Sequence, residues 1–222
     1  PPIPPPPTTA IEGASGSGNT TLGKLLLGYF APTSGNIFLG DTPLQDYDMT
    51  SWRHSCGVVL QDSHVFSESL ARNIAVEDKH IDRTRLRTAA RQANLEEFIE
   101  KLPLKYQTMV GAEGVGLSRG QEQRIFIARA LYKDPSFVFL DEATNSLDAN
   151  NERIITWNLL DFCKGRTVLI VSHLLSTIRH ADKIGVLHKG RIVEEGTHDE
   201  LCARHGHYYE LINNQLIAMG NE

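Results

Sequence analysis

The sequence predicts an α/β fold built around a mostly parallel sheet. Short apolar runs alternate with segments of helical spacing, which is the pattern of strand, helix and strand units. The apolar share of 41% in a chain of 222 residues is enough for a conventional core. The net charge is −5 and the basic residues are scattered rather than gathered in a stripe, so we expect no nucleic acid partner.

The predicted elements divide the chain into a core and an insertion. Apolar runs predict strands at residues 36–39, 57–60, 136–140, 167–172, 183–188 and 191–195. Helical spacing predicts helices at residues 83–93, 95–101, 121–131, 199–205 and 207–215. We therefore expect a proline-rich tail (1–8), an α/β core (9–61 and 134–222) and an inserted helical subdomain (62–133).

The three cysteines, Cys56, Cys163 and Cys202, lie far apart and show no C-x-x-C spacing. This pattern favours reduced thiols over a disulfide framework or a zinc site. The sequence contains no apolar run of the roughly 18 to 20 residues that span a bilayer. We therefore expect a soluble chain.

A glycine-rich segment at residues 13–21 follows a short apolar run and precedes helical spacing. Its glycines allow backbone N–H groups to converge on phosphate oxygens, and the helix N-terminus adds positive potential. The segment fits the pattern G-x-x-x-x-G-K-[ST], except that Asn19 stands at the lysine position. Asparagine can donate a hydrogen bond but carries no charge, and taken alone the segment also fits an ordinary turn. The candidate phosphate-binding residues are Gly13, Ser15, Gly16, Ser17, Gly18, Asn19, Thr20 and Thr21.

An acidic pair, Asp141 and Glu142, follows the apolar run at residues 137–140. A buried strand would bring Asp141 to the edge of the sheet where the phosphate loop opens, so that it can take part in the shell of a Mg²⁺ ion. Glu142 is then a candidate base for the attacking water. The alternative is that the pair caps the N-terminus of a helix.

Four further features are weak when each is taken alone. They are the run L-S-R-G-Q at residues 117–121, Gln61 after a predicted strand, the run N-S-L-D at residues 145–148, and His173 at the end of another strand. Ser118 also fits an ordinary helix N-cap, and a lone histidine is more often structural than catalytic. Only their order and spacing carry an inference.

In this order the motifs resemble those of ATP-binding-cassette (ABC) transporter ATPases, over about residues 9–215. The resemblance identifies a Walker A loop (13–21), a Q-loop (Gln61), a signature (117–121), a Walker B strand (137–141) with Glu142, a D-loop (146–148) and a switch His173. It implies a P-loop NTPase with a RecA-like core and an inserted helical subdomain.

The resemblance also implies how the residues act. Two such domains face each other head to tail, and each ATP lies between the Walker A loop of one and the signature of the other. Glu142, His173 and Gln61 would be the catalytic residues, and Thr20, Gln61 and Asp141 would hold Mg²⁺. Ser118, Gly120, Gln121 and Asp148 would contact the nucleotide across the interface. The partners would be a second nucleotide-binding domain, in a homodimer or a heterodimer, and a transmembrane domain, which provides the only membrane contact, at the cytoplasmic face of the cell membrane.

Two segments favour the exporter type. Residues 66–74 and 110–114 look like ABC exporter sequences, in which the second segment contacts intracellular loops of the membrane domain. Residues 141–152 and 208–215 are similar to those of peptide and bacteriocin exporters that carry a peptidase domain. Peptides are therefore one candidate cargo.

Several positions depart from the family pattern. Besides Asn19, Arg119 stands where glycine is usual, Leu174 where exporters have arginine, and Glu12 where the residue is apolar. Arg119 either crowds the phosphate or is tolerated, and a buried Glu12 would be costly unless it is paired. The aromatic residue that stacks on adenine, and the antiparallel strands before the loop, have no counterpart in the short N-terminal part, so we expect weaker adenine binding.

Three functions follow as hypotheses. The first is an ATP hydrolase that powers export. The second is a degenerate ATP-binding half, motivated by Asn19, that completes the site of a partner. The third is a soluble ABC protein without a transport role, which the exporter-like segments and the lack of a coiled-coil insertion disfavour.

Overall fold

The computed structural model describes residues 8–14, 16–172 and 175–220. Its strands are β1 (Thr8–Glu12), β2 (Phe38–Leu39), β3 (Thr42–Pro43), β4 (Cys56–Val59), β5 (Glu68–Ser69), β6 (Met109–Val110), β7 (Phe137–Asp141), β8 (Thr167–Val171), β9 (Lys183–His188) and β10 (Arg191–Gly196). Its helices are α1 (Asn19–Leu26), α2 (Met49–Ser55), α3 (Leu70–Ile74), α4 (Arg83–Gln92), α5 (Glu96–Glu100), α6 (Arg119–Lys133), α7 (Ala149–Cys163), α8 (Leu175–Ile178), α9 (His198–Arg204) and α10 (His207–Gly220).

The main sheet has six strands in the order β10-β9-β1-β8-β7-β4. Strand β1 pairs in parallel with both β8 and β9, so that Ala10 lies opposite Ile170 and Ile184. Strand β10 turns back antiparallel to β9. The predicted α/β class with a mostly parallel sheet is therefore confirmed.

The strand predicted at residues 36–39 is the least accurate of the strand predictions. Only Phe38–Leu39 form a ladder, and they pair with Thr42–Pro43 in a separate two-stranded sheet. Gly40 takes a positive φ of 62° at the turn, and Pro43 has no backbone N–H to donate. These local restrictions end the ladder after two residues.

Side-chain caps fix where several helices begin. Asp82 Oδ1 accepts from Thr84 N at 2.8 Å at the start of α4, and Thr197 forms a capping box with Glu200 at the start of α9. Such caps satisfy backbone N–H groups that have no partner within the helix. The predicted starts at residues 83 and 199 accordingly fall within one residue of the observed ones.

The chain forms two compact units. The first runs from the described start of the chain to Cys56 and includes Phe139–Asp141 and the chain from Gly165 onward. In it, the two faces of β1 are buried differently: Ala10 packs with residues of β9 and the C-terminal helices, and Ile11 packs with Val171 and Leu187. Burial on both faces explains why β1 is the centre of this unit.

The second unit contains Gly57–Val138 and Glu142–Lys164. Helix α6 supplies much of its core, since Ile125, Ile127 and Ala128 are fully buried. Polar contacts tie the other helices to this core: Arg124 Nη1 donates to the Asn94 carbonyl oxygen at 2.6 Å, and Asn158 Nδ2 donates to the Gln92 carbonyl oxygen at 2.7 Å. Helix α7 lies in this unit and was not among the predicted helices.

Within the part of the chain that the structure describes, no helix is both long enough and apolar enough to cross a membrane.

Candidate nucleotide-binding site

The glycine-rich segment forms the loop between β1 and α1, which is the context that the phosphate-loop pattern requires. Ser17 N donates to the Ala14 carbonyl oxygen and Leu22 N donates to the Gly18 carbonyl oxygen, both at 2.9 Å. Gly16 and Gly18 have positive φ angles of 79° and 110°, which glycine adopts without a steric penalty. Loop backbone of this kind before a helix allows N–H groups to contact an anion at the helix N-terminus.

Gly13 is required by close packing rather than by its φ angle. A Cβ atom at this position would lie 2.4 Å from the Leu187 carbonyl oxygen and 2.6 Å from Ser17 Oγ. The turn between β9 and β10 also supports the loop, because Gly190 N donates to the Ser17 carbonyl oxygen at 2.9 Å. The end of β9 is therefore part of the framework that shapes the phosphate loop.

Asn19, at the lysine position of the pattern, binds within the loop itself. Its Nδ2 donates to the Gly13 carbonyl oxygen at 3.3 Å. Its Oδ1, like Ser17 Oγ, is buried and has no hydrogen-bond partner among the described residues. Thr20 is half-buried and Thr21 is exposed in the first turn of α1. The side chain at position 19 thus closes the loop instead of extending from it.

Glu12 ends β1 and is only 1% exposed. The sequence identified a buried carboxyl group here as a departure from the family, and the structure places it close enough to Tyr208 to act on it electrostatically. Burial raises the pKa of the Tyr208 hydroxyl, and the charges of Cys202 and Glu12 raise it further. Tyr208 OH lies 2.8 Å from His198 Nδ1, so polar groups line this buried region.

Asp141 is the last residue of β7 and is 5% exposed. The next helix, α7, begins only at Ala149, and its N-cap is Asp148. The alternative in which the acidic pair caps a helix is therefore wrong. Asp141 instead lies at the end of a buried strand of the sheet that contains β1.

Glu142 has an unusual backbone, with a φ of 50°. The left-handed region is sparsely populated by residues other than glycine, asparagine and aspartate. Its carboxylate is held locally, because Asn145 Nδ2 donates to Glu142 Oε2 at 2.8 Å. Asn145 belongs to the run N-S-L-D singled out in the sequence, but the sequence does not predict that it binds Glu142.

The signature segment forms the N-terminus of α6. Ser118 is the N-cap, and it exchanges hydrogen bonds with Gln121 in a capping box. Arg119, in the first turn of the helix, is exposed. A Cβ atom on Gly120 would lie 3.2 Å from the Ser146 carbonyl oxygen, so the small residue allows the signature and the D-loop to approach each other.

Hydrogen bonds within the second unit hold Ala143, before the D-loop, and Asp148, at its end. Gln123 Nε2 donates to the Ala143 carbonyl oxygen at 2.8 Å. Asp148 Oδ1 accepts from Asn151 N at 3.1 Å, and hydrogen bonds from the Asn151 side chain and backbone hold the pKa of Asp148 below its usual value. Asn151 Oδ1 also accepts from Asn94 Nδ2 at 2.7 Å. Sequence reasoning missed Gln123, although it lies within two residues of the signature.

The two exporter-like segments lie side by side. Glu68 pairs with Val110 in the antiparallel β5–β6 sheet, and a Cβ atom on Gly111 would lie 2.8 Å from the Phe66 carbonyl oxygen. Gln61 is exposed in the turn that follows β4. The structure therefore brings together residues 66–74 and 110–114, which are distant in sequence.

A buried amide and a guanidinium hold the first of these segments. Asn73 is fully buried and its Nδ2 donates to the Phe66 carbonyl oxygen at 3.0 Å. Arg129 donates to the Asn73 carbonyl oxygen at 2.9 Å and lies over the rings of Phe66 and Phe126. Burial lowers the pKa of Arg129 to about 10, so its guanidinium stays charged at neutral pH.

Some predicted residues lie outside the described part of the chain. These are Ser15, the switch residue His173, the departing residue Leu174 and most of the proline-rich tail. The remaining candidates are split between the units. The phosphate loop and Asp141 belong to the first unit, and Gln61, Glu142, the signature and Asp148 belong to the second.

Comparisons with known proteins identify the family of the chain. The family model described as "ABC transporter" matches residues 3–145. ATP-dependent lipid A-core flippases are similar: that of Chromohalobacter salexigens is 45% identical over 91% of this chain and 35% of its own length, and that of Alkalilimnicola ehrlichii is 47% identical over 94% and 36%. The putative multidrug export ATP-binding/permease protein YgaD of Bacillus subtilis is 43% identical over 95% of this chain and 36% of its own length.

A solved structure is also similar. A bacterial Atm1-family ABC exporter with ATP bound has a TM-score of 0.90 and 37% identity, and the match covers 95% of this chain and 37% of that one. The chain thus spans about a third of the length of these relatives.

The fold and the site define a P-loop nucleotide-binding protein. The chain belongs to the ABC transporter family, as an ATP-binding domain similar to those of exporters. The predicted enzyme class, an ATP hydrolase of the ABC transporter type, is confirmed at the level of the family.

Proposed function

We propose that this chain binds Mg²⁺-ATP between two domains that face each other head to tail, and hydrolyses it to drive export through a membrane domain. The observation that carries the proposal is the phosphate loop between β1 and α1, with a second strand of the same sheet ending in the buried Asp141. This is the arrangement that phosphoryl transfer needs, since catalysis rests on positioning and charge stabilisation.

Each part of the site has a defined task. Backbone N–H groups of the loop bind the phosphates. The Thr20 hydroxyl and the Asp141 carboxylate are oxygen ligands of the kind that Mg²⁺ prefers, and the ion would neutralise charge on the phosphates. Glu142 orients the attacking water and accepts its proton. The tasks assigned to Gln61 and His173 by resemblance stay predictions.

The second unit supplies the surfaces for partners. Ser118, Gln121 and Asp148 lie at the starts of α6 and α7, where they would face the nucleotide of a second domain. Phe66, on the first exporter-like segment, and Met109, directly before the second, are exposed, and exposed apolar side chains that lie together favour docking of another chain. We assign this surface to the membrane domain, at the cytoplasmic face of the membrane.

The boundaries of the domains and the cargo are also proposals. We propose a core at residues 9–61 and 134–222 and a helical subdomain at residues 62–133, which contains α4 and α6. Peptide cargo stays a prediction from residues 141–152 and 208–215. The relatives are named for lipid A-core and for multidrug export, and these names favour export over a role outside transport.

A specific observation favours the degenerate half-site as a second candidate. Asn19 uses its amide nitrogen within the loop, and its side chain brings no charge to the phosphates. Such a chain would bind ATP poorly itself and would contribute its signature to the site of a partner.

Phosphate release separates the two candidates. The chain alone, at high concentration with Mg²⁺-ATP, should release phosphate if it is a complete ATPase, and Asp141→Ala should abolish that release. For the second candidate, a double variant Asn19→Lys, Ser118→Ala has a repaired loop but no signature hydroxyl. Wild-type chain should restore its turnover, and the single variant Ser118→Ala should not. No release in either assay would refute both candidates.

A further inference from the structure

Two oxygen atoms in the phosphate loop have no partner although both are buried. Asn19 Oδ1 and Ser17 Oγ are inaccessible to solvent, and neither forms a hydrogen bond with a described residue. Ser17 as a whole is 7% exposed. Buried polar atoms without partners are costly, and most such atoms in folded proteins bind water, an ion or a ligand. Both side chains lie by Gly13, since Asn19 Nδ2 donates to its carbonyl oxygen and a Cβ atom on it would lie 2.6 Å from Ser17 Oγ, so a further group is expected at this end of the loop.

The orientation of the Asn19 amide decides what kind of group fits. Since Nδ2 donates to the Gly13 carbonyl oxygen at 3.3 Å, the remaining atom, Oδ1, is a pure acceptor. The phosphate oxygens of a nucleotide are also acceptors. Two acceptors repel each other unless a cation or a donor lies between them. At this position the family pattern has a lysine, whose ammonium group is such a cation.

The loop segment itself does not supply that charge. Residues 13–23 contain no lysine, arginine or histidine, and the first basic residue of α1 is Lys24 in its last turn. Glu12, immediately before the loop, and Asp141, at the end of β7, are buried carboxyl groups of the same unit. Position 19 and its neighbours in the loop therefore bring no positive side chain to the phosphates.

We propose that a monovalent cation of about the size of K⁺ binds beside Asn19 Oδ1 and Ser17 Oγ and replaces the missing lysine ammonium when ATP is bound. The proposal rests on the ATP binding proposed above. Amide and hydroxyl oxygens suit hard cations, and phosphate oxygens of the nucleotide complete the shell. A second Mg²⁺ fits less well, because it demands near-ideal octahedral geometry and gives up its water reluctantly.

One lysine offers a competing source of charge. Lys189 directly precedes Gly190, whose N–H binds the Ser17 carbonyl oxygen, and its side chain is exposed. If that side chain reached the phosphates, no bound cation would be needed. The variant Lys189→Ala distinguishes the two sources.

The test is the affinity of the 222-residue chain for ATP, measured by calorimetry with Mg²⁺ in KCl and in choline chloride of equal ionic strength. We expect the wild type to bind about tenfold more tightly in KCl, in line with one added charge-assisted contact. Asn19→Lys should bind ATP equally in the two salts, because it carries its own ammonium. Asn19→Ala, which lacks Oδ1, should be weak in both, and Lys189→Ala should keep the dependence on K⁺.

Equal affinity of the wild type in the two salts would overturn the cation site and leave the proposed function standing. Loss of the K⁺ dependence in Lys189→Ala, or its persistence in Asn19→Lys, would also overturn it. If neither the wild type nor Asn19→Lys bound ATP in any salt, the proposed function itself would fail.

Discussion

Ser118 and Gln121 exchange two hydrogen bonds at the start of α6. Gln121 N donates to Ser118 Oγ at 3.2 Å, and Ser118 N donates to Gln121 Oε1 at 2.8 Å. These are two of the residues that resemblance assigns to the nucleotide of a partner domain. In the single chain both side chains are already used as a helix cap, so contact with a nucleotide across an interface would compete with the cap.

Two substitutions separate the role of Ser118 as a helix cap from its proposed role as a nucleotide contact. Ser118→Ala removes the cap and should lower the free energy of unfolding by about 1 kcal/mol, measured by urea denaturation. Ser118→Asn should keep most of that stability, since asparagine caps as well as serine. Both variants should lose ATP turnover, because both lack the hydroxyl. An unfolding midpoint of Ser118→Ala equal to that of the wild type would argue against a stabilising cap.

Glycine is required at Gly13 more strictly than at Gly16. In Gly13→Ala the methyl group would overlap a backbone carbonyl oxygen and Ser17 Oγ, so the loop must shift, and ATP affinity should fall at least about tenfold. In Gly16→Ala nothing obstructs the methyl group, and the positive φ costs only about 1–2 kcal/mol. Thermal unfolding and ATP titration of both variants measure the difference. Equal losses of ATP affinity would show that crowding at Gly13 does not matter.

Restoring the lysine should raise activity. In choline chloride, Asn19→Lys should turn over ATP about a hundredfold faster than the wild type, the usual magnitude for one preorganised group that stabilises developing charge. Asn19→Gln is the matched control, because it lengthens the side chain without adding a charge. Equal phosphate release by wild type and Asn19→Lys in this salt would show that the asparagine is not limiting.

The role of Glu142 can be tested in the repaired loop. In the Asn19→Lys background, Glu142→Gln should lower phosphate release by about 10²–10⁴-fold while a complex with ATP, detectable as a dimer by size-exclusion chromatography, accumulates. Asn145→Ala, which removes the amide that holds Glu142 Oε2, should cause a smaller loss. Undiminished hydrolysis by the Glu142→Gln variant would exclude this carboxylate as the base.

The Arg129 guanidinium should matter for stability rather than for chemistry. Arg129→Met removes its hydrogen bond to the Asn73 carbonyl oxygen and leaves that buried acceptor unpaired. The free energy of unfolding should fall by about 1.5–3 kcal/mol, as measured with urea. ATP affinity of the folded variant should be unchanged. Arg87→Met, an exposed arginine on α4, is the control and should unfold like the wild type.

The sequence predicts well those elements whose signal is local. The predicted bounds of β9 match the observed ones, Lys183–His188, because the apolar run at residues 184–187 lies between two polar residues and is too short for a typical helix. The start of α6 was predicted within two residues, since the Ser118 cap and the helical spacing lie next to each other. The phosphate-loop pattern also consists of consecutive residues, so the sequence alone predicts the loop.

Other features have little signal in the sequence around them. Helix α7 was missed because Asn150, Asn151 and Thr156 favour helices weakly and its cap, Asp148, was interpreted only as a D-loop residue. Arg129 binds a residue 56 positions away, and no spacing rule predicts such a contact. The orientation of the Asn19 amide depends on the Gly13 carbonyl, so the sequence could predict a missing charge but not the acceptor left behind.

The strained backbone of Glu142 affects which residues selection for stability alone would favour at this position. Glycine or asparagine would adopt the φ of 50° at this position at a lower steric cost than glutamate. Glu142→Gly should therefore relieve strain at the expense of the acid. In a copy of this gene freed from the demand for hydrolysis, selection for stability alone would erode this carboxylate early.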